Sequence, residues 1–96
     1  MRAFVLSDLV STARVLRAVP PDDRADLLGR LVTQAHYADV FFKKLGYAHP
    51  RWGNGALGSV ARLHPARDPG DLTDPEFCEC LVIVLDGIRR FRNRPS

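Results

Sequence analysis

The sequence predicts an all-α domain, and three observations carry that prediction. Apolar side chains recur every three or four residues in separate stretches, and prolines and glycines punctuate the chain where those stretches end. The only alternating apolar pattern, "AFVLS", is too short to pair with anything obvious. The expected architecture is a small helical domain over residues 1–96, with a long central helix, a C-terminal helix, two shorter helices and a basic tail at 89–96. At 96 residues a single core stabilises a fold only modestly, so assembly as an oligomer is part of the expectation.

The first helix is expected over Ala3–Val19, with Leu6, Val10, Ala13 and Leu16 on one face and Arg14 and Arg17 elsewhere. Pro20-Pro21 ends it. "PDDRADLL" starts the second, with proline and the carboxylates of Asp22 and Asp23 in a first turn that favours both. Leu28, Leu31, Ala35, Ala38, Phe42 and Leu45 then recur at three and four, a coiled-coil-like seam closed by Lys43, Lys44 and Gly46. Such a helix over residues 22–45 would be a rod of roughly 36 Å.

"GYAHPRWGNG" reads as a loop, and "ALGSVARLH" as a short helix stopped before Pro65. After a second loop, Thr73 with Glu76 forms a capping-box pattern ahead of a helix reaching about Asn93. Phe77, Leu81, Val84, Ile88 and Phe91 make a second heptad-like seam. The run "CLVIVL" at 80–85 is apolar on all sides, and a helix of that kind must be covered on all sides. The expected packing residues, either within the core or between subunits, are Leu28, Ala35, Phe42, Trp52, Phe77, Leu81, Val84 and Ile88.

Several function classes fall away. The composition, 46% hydrophobic and 26% charged, is that of a globular chain, and no apolar run approaches the roughly 20 residues that span a bilayer. Asp8 and Arg14 interrupt the N-terminal apolar stretch and no small-residue cleavage site follows, so it reads as mature helix and a cytoplasmic location is expected. Cys78 and Cys80, two apart on a helix, point roughly 200° from each other and can neither bridge nor chelate together. His36, His49 and His64 have no companion at ligand spacing, so no metal and no cofactor is expected. No Ser, His and Asp set or paired carboxylates stand out, which argues against an enzyme.

Two motifs match by spacing and fail by context. Gly53, Gly55 and Gly58 reproduce G-x-G-x-x-G, but no strand precedes them and no βαβ framework surrounds them. They read as an elbow anchored by Trp52. "TQAHYADVFFKKLG" resembles the first helix of a helix-turn-helix, but too many residues separate Leu45 from Ala56 for the motif's short turn.

Charge distribution points elsewhere. Of the net +3, the tail "RRFRNRPS" supplies four arginines and no acid. Arg89, Arg90, Arg92 and Arg94 can neutralise phosphates and Phe91 can stack on a base, while arginine at a helix C-terminus also complements the dipole. In an oligomer the tails repeat, and multiplicity makes weak contacts effective.

"HPRWGNGALGSVARLHP" together with "DLTDPEFCECLVIVLDGIRRFR" resembles a small protein encoded beside the large terminase in the phage-like gene transfer agents of alphaproteobacteria. The likeness covers roughly residues 49–92. It implies a small terminase, a non-catalytic oligomeric DNA-packaging subunit that engages double-stranded DNA and delivers it to the ATP-driven large terminase. Many phage small terminases carry an N-terminal helix-turn-helix; the departure here implies DNA binding with little sequence specificity. One rival is a protein-interaction or regulatory module whose basic tail docks an acidic surface without DNA. The other is a small enzyme or nucleotide-binding protein using the glycine loop.

Overall fold

A computed structural model describes residues 2–68 and 70–93. The chain is all-α, with α1 (Leu6–Arg17), α2 (Pro21–Leu45), α3 (Leu57–Ala61) and α4 (Pro75–Asn93), and no strand forms among the described residues.

Pairings along the helices define the arrangement. Arg24 of α2 reaches the Leu16 carbonyl at the end of α1, while Arg2, ahead of α1, lies over Phe42 near the end of α2. Arg17 meets Glu76 at the start of α4, and Arg92 at its end reaches the Arg2 carbonyl. Thus α1 runs antiparallel to α2 and to α4, and these two run parallel to each other. Parallel neighbours need a return path, supplied by residues 55–70. Gly58 N–H meets Asp8, Arg67 exchanges hydrogen bonds with Arg14, and the Gly70 backbone approaches Arg17. The strap descends beside α1 and delivers the chain to begin α4.

The core lies between the three long helices and the strap. Ala13, Val15 and Leu16 of α1 meet Leu27, Leu28, Leu31, Val32 and Ala35 of α2, Leu57, Val60 and Ala61 of α3, and Phe77, Cys80, Val84 and Ile88 of α4. Burial of this apolar surface is the principal force holding the fold.

The helix bounds and caps differ in detail from those that the sequence predicts. The first helix is shorter than Ala3–Val19 because Val5 is its N-cap. Asp8, three residues on, accepts the Val5 N–H and closes the turn. Its inward face carries Asp8, Thr12 and Val15 as well as Ala13 and Leu16, whereas Leu6 is exposed. In the α2 seam Leu28 to Ala38 are buried, Phe42 is half-buried and Leu45 is exposed, because the last turn projects past its neighbours. The short helix stops at Ala61 rather than His64. The cap of α4 is Asp74, not Thr73: the Asp74 carboxylate accepts the Glu76 and Phe77 N–H groups, while Thr73 turns back onto Asp71.

The lower end of the bundle is tied by charge. Arg17 donates to both Asp74 and, at 3.0 Å, Glu76; buried Arg24 donates to the Leu16 carbonyl at 2.9 Å and faces Glu76 at 3.6 Å. Burial alone would push Asp74 up, but the Arg17 hydrogen bond and the Phe77 and Glu76 N–H groups hold it below its ordinary 3.8. A carboxylate depressed in the folded state stabilises it above the unfolded pKa, and that contribution disappears as pH falls through the folded value. The fold is therefore expected to lose stability below about pH 4, and Asp74→Asn to flatten that acid limb in urea unfolding measured at several pH values. An unchanged limb would assign it to other carboxylates.

Candidate nucleic-acid interface

The parallel course of α2 and α4 has an electrostatic consequence. Each helix carries cations in its last turns, where they complement the dipole, and the parallel arrangement puts both C-termini at one end of the bundle. The N-terminal segment adds Arg2 to that end, and the loop after α2 adds Arg51. The upper end thus gathers Arg2, Lys43, Lys44, Arg51, Arg89, Arg90 and Arg92, against Asp8, Asp39 and Asp86. Asp8 and Asp39 are buried, which leaves Asp86 as the accessible carboxylate of the set.

Within it, Arg89 and Arg90 share Asp86 at 2.8 and 3.0 Å, and their side chains are 72% and 78% exposed, so one carboxylate faces two solvent-accessible guanidiniums. Arg92 donates to the Arg2 carbonyl at 3.2 Å, and the Arg2 guanidinium sits 5.1 Å from the centre of the Phe42 ring. Phe91 packs edge-on against His36 at 5.3 Å, so it is held against α2 rather than projecting as a stacking platform. Lys43 is engaged with Asp39 at 3.0 Å. Burial works against ionised Asp39, yet the positive charges beside it, Lys43 among them, hold it below the ordinary carboxylate value. Arg94 lies outside the described residues.

Of the expected packing residues, Leu28, Ala35, Phe77, Val84 and Ile88 are buried within the chain, and Phe42, Trp52 and Leu81 are half-buried. "CLVIVL" is not covered on all sides by its own chain: Cys80 and Val84 face the core, while Val82 and Leu85 stay exposed. Burial pushes the Cys80 thiol up from its ordinary value, and the Cys78 sulfur lies against the Leu72 carbonyl. The two cysteines are free, and among the described residues no three His, Cys, Asp or Glu side chains converge as a metal site would need.

The glycine stretch is an elbow with a ring cluster at its tip. His49 and Gly53 exchange backbone hydrogen bonds of 2.8 and 3.0 Å, and the His49 Nδ1 accepts the Arg51 and Trp52 N–H groups. Gly53 and Gly55 take positive φ, whereas Gly58 is helical and packs against Asp8. Trp52 stacks flat on His49 at 4.8 Å and meets Tyr37 edge-on at 5.4 Å; Phe41 closes on His49 and on Tyr47. Trp52 thus fastens the elbow to α2 of its own chain. This five-ring cluster was missed in the sequence, where Tyr37 and Phe41, four apart on the outer face of α2, and Tyr47, His49 and Trp52 just beyond the helix were the available signal.

No helix among the described residues is long and apolar enough to cross a membrane. No curated protein and no solved structure matches the chain. Residues 2–88, from the N-terminal segment to the last buried turn of α4, match one family throughout, and the chain belongs to it: the family described as domain of unknown function DUF7742.

Proposed function

We propose that this protein is a non-catalytic DNA-packaging adaptor of the small-terminase kind, which assembles with copies of itself, binds duplex DNA with little sequence specificity and hands it to a large terminase. The observation that carries the reading is the segregation of charge, with seven cationic side chains at one end of the bundle and Asp86 as their accessible counter-charge. A surface of this kind binds phosphate by releasing condensed counterions, which requires no base-specific contact. Arg89, Arg90, Arg92 and Arg94 make phosphate contacts in this reading. The resemblance to gene-transfer-agent small terminases supplies the DNA-packaging context, and the expected location is the cytoplasm.

The ring cluster at the elbow favours a second reading, a helical protein-interaction or regulatory module that does not bind DNA. Tyr37 and Tyr47 are exposed there beside Lys44 and Arg51, and exposed aromatic and arginine side chains are the usual anchors of protein interfaces.

Fluorescence anisotropy with a duplex probe separates the two. Arg90→Gln with Arg92→Gln is expected to weaken DNA binding and to lower the slope of log affinity against log salt by about two, one for each lost phosphate contact. DNA binding indifferent to both substitutions would remove these arginines from the interface, and no DNA binding by the native chain would favour the second reading.

A further inference from the structure

We infer that the outward face of α4 pairs two copies of this chain as an antiparallel two-fold helix pair; the inference rests on the assembly step of the proposed function and specifies its surface. Cys78, Val82, Leu85 and Arg89 follow one another at four, three and four residues along the side of α4 turned away from the core. Val82 is 62% and Leu85 50% exposed, although Cys80 and Val84 on the opposite side are fully covered. A groove lined by Pro21, Arg24, Cys78, Glu79, Val82 and Ile83 lies beside Val82.

Charge selects the occupant and its direction. The Glu79 carboxylate, at one end of the exposed seam, is exposed and makes no ion pair among the described residues. At the other end Arg89 and Arg90 share the single Asp86, one on each carboxylate oxygen, which leaves an excess positive charge. An antiparallel copy that places its Leu85 against Val82 brings its Arg89 within about 1.5 Å, one residue's rise, of the level of Glu79. The two-fold axis repeats this pair, so each Glu79 meets the cationic end of the other copy, and Leu85 enters the groove beside Val82 twice. A parallel pair would set Glu79 against Glu79 and Arg89 against Arg89, which repels at both ends. The face is self-complementary in one direction only. Arg90, turned away from the seam, remains available in the pair, while Arg92 lies one heptad beyond Leu85 and is held at the Arg2 carbonyl.

Sedimentation equilibrium of the full chain, up to about 200 μM, tests the pair, since a short seam gives a micromolar affinity. The native chain is expected to dimerise, and Leu85→Glu to weaken dimerisation more than about tenfold while keeping the native melting temperature at dilutions where both chains are monomeric. Glu79→Arg and Arg89→Glu are each expected to weaken it about fivefold, and the double exchange to restore it. Self-association that ignores Leu85→Glu, or a double exchange that fails to restore it, overturns the α4 seam and leaves assembly through another surface standing. A strict monomer over the whole range overturns both the seam and the assembly step of the proposed function.

Discussion

Gly55→Ala is expected to lower the stability of the fold by about 3 kcal/mol, combining left-handed backbone strain with overpacking. Gly55 has a φ of +98°, where an L-residue is strained, and an added Cβ would stand 2.7 Å from the Asp39 Cβ and 2.8 Å from its Cα. The obstacle is partly helix backbone, which cannot rotate aside as a side-chain tip can. Relief requires the elbow to lift off α2, which would also disturb the Gly55 carbonyl that accepts the Arg2 N–H at 3.2 Å. Gly29→Ala is the internal control. That glycine lies in α2 with nothing within 4 Å of a new Cβ, so the same chemical change should stabilise by roughly 0.5–1 kcal/mol. Urea unfolding of the two variants reads the difference directly; a Gly55 variant as stable as the native chain would refute the close approach of elbow and helix.

The second large effect is expected at Asp8. Its Oδ2 accepts the Val5 N–H at 3.2 Å, starting α1, and its Oδ1 accepts the Gly58 N–H at 3.0 Å, joining α1 to the first turn of α3. Asp8→Ala leaves two backbone donors without their acceptor, the Gly58 N–H in a buried place that water reaches poorly and the Val5 N–H in a partly buried one. The expected cost is about 2–3 kcal/mol, one cap and one buried unmade bond. Asp8→Asn retains one carbonyl oxygen and should lose less. Hydrogen exchange supplies an independent readout, since the Gly58 amide should lose protection in the alanine variant more than amides of α4 do. Equal loss everywhere would mean that Asp8 acts only through global stability.

How much of this was legible in the sequence follows from what a one-dimensional pattern can carry. The seams of α2 and α4 were visible because Leu28, Leu31, Ala35 and Ala38 of one and Phe77, Val84 and Ile88 of the other are buried at the expected spacing, and Pro21, Pro75 and Gly46 punctuated them where the helices begin and end. The face of α1 was not, because periodicity counts apolar side chains and this helix turns Asp8 and Thr12 inward; the partner that makes Asp8 tolerable is 50 residues away. The exposure of Leu45 depends on where the neighbouring helices end, which its own helix does not encode. At the basic end, the four tail arginines were evident as a charge run. Arg2, Lys43 and Arg51 join three of them only because the strap returns the chain and makes α4 parallel to α2. The ring cluster was hidden for a similar reason, since it exists only once the elbow folds Trp52 back onto Tyr37.

The protein is a helical body with a cationic end, and in the proposed function this end meets DNA without reading its sequence. The most direct test measures the affinity of the native chain for two duplexes of unrelated sequence between about 50 and 200 mM salt. Equal affinities are expected, falling together along one straight line of log affinity against log salt. Binding that is flat in salt, absent at the lowest salt, or confined to one of the two sequences would contradict the proposed function.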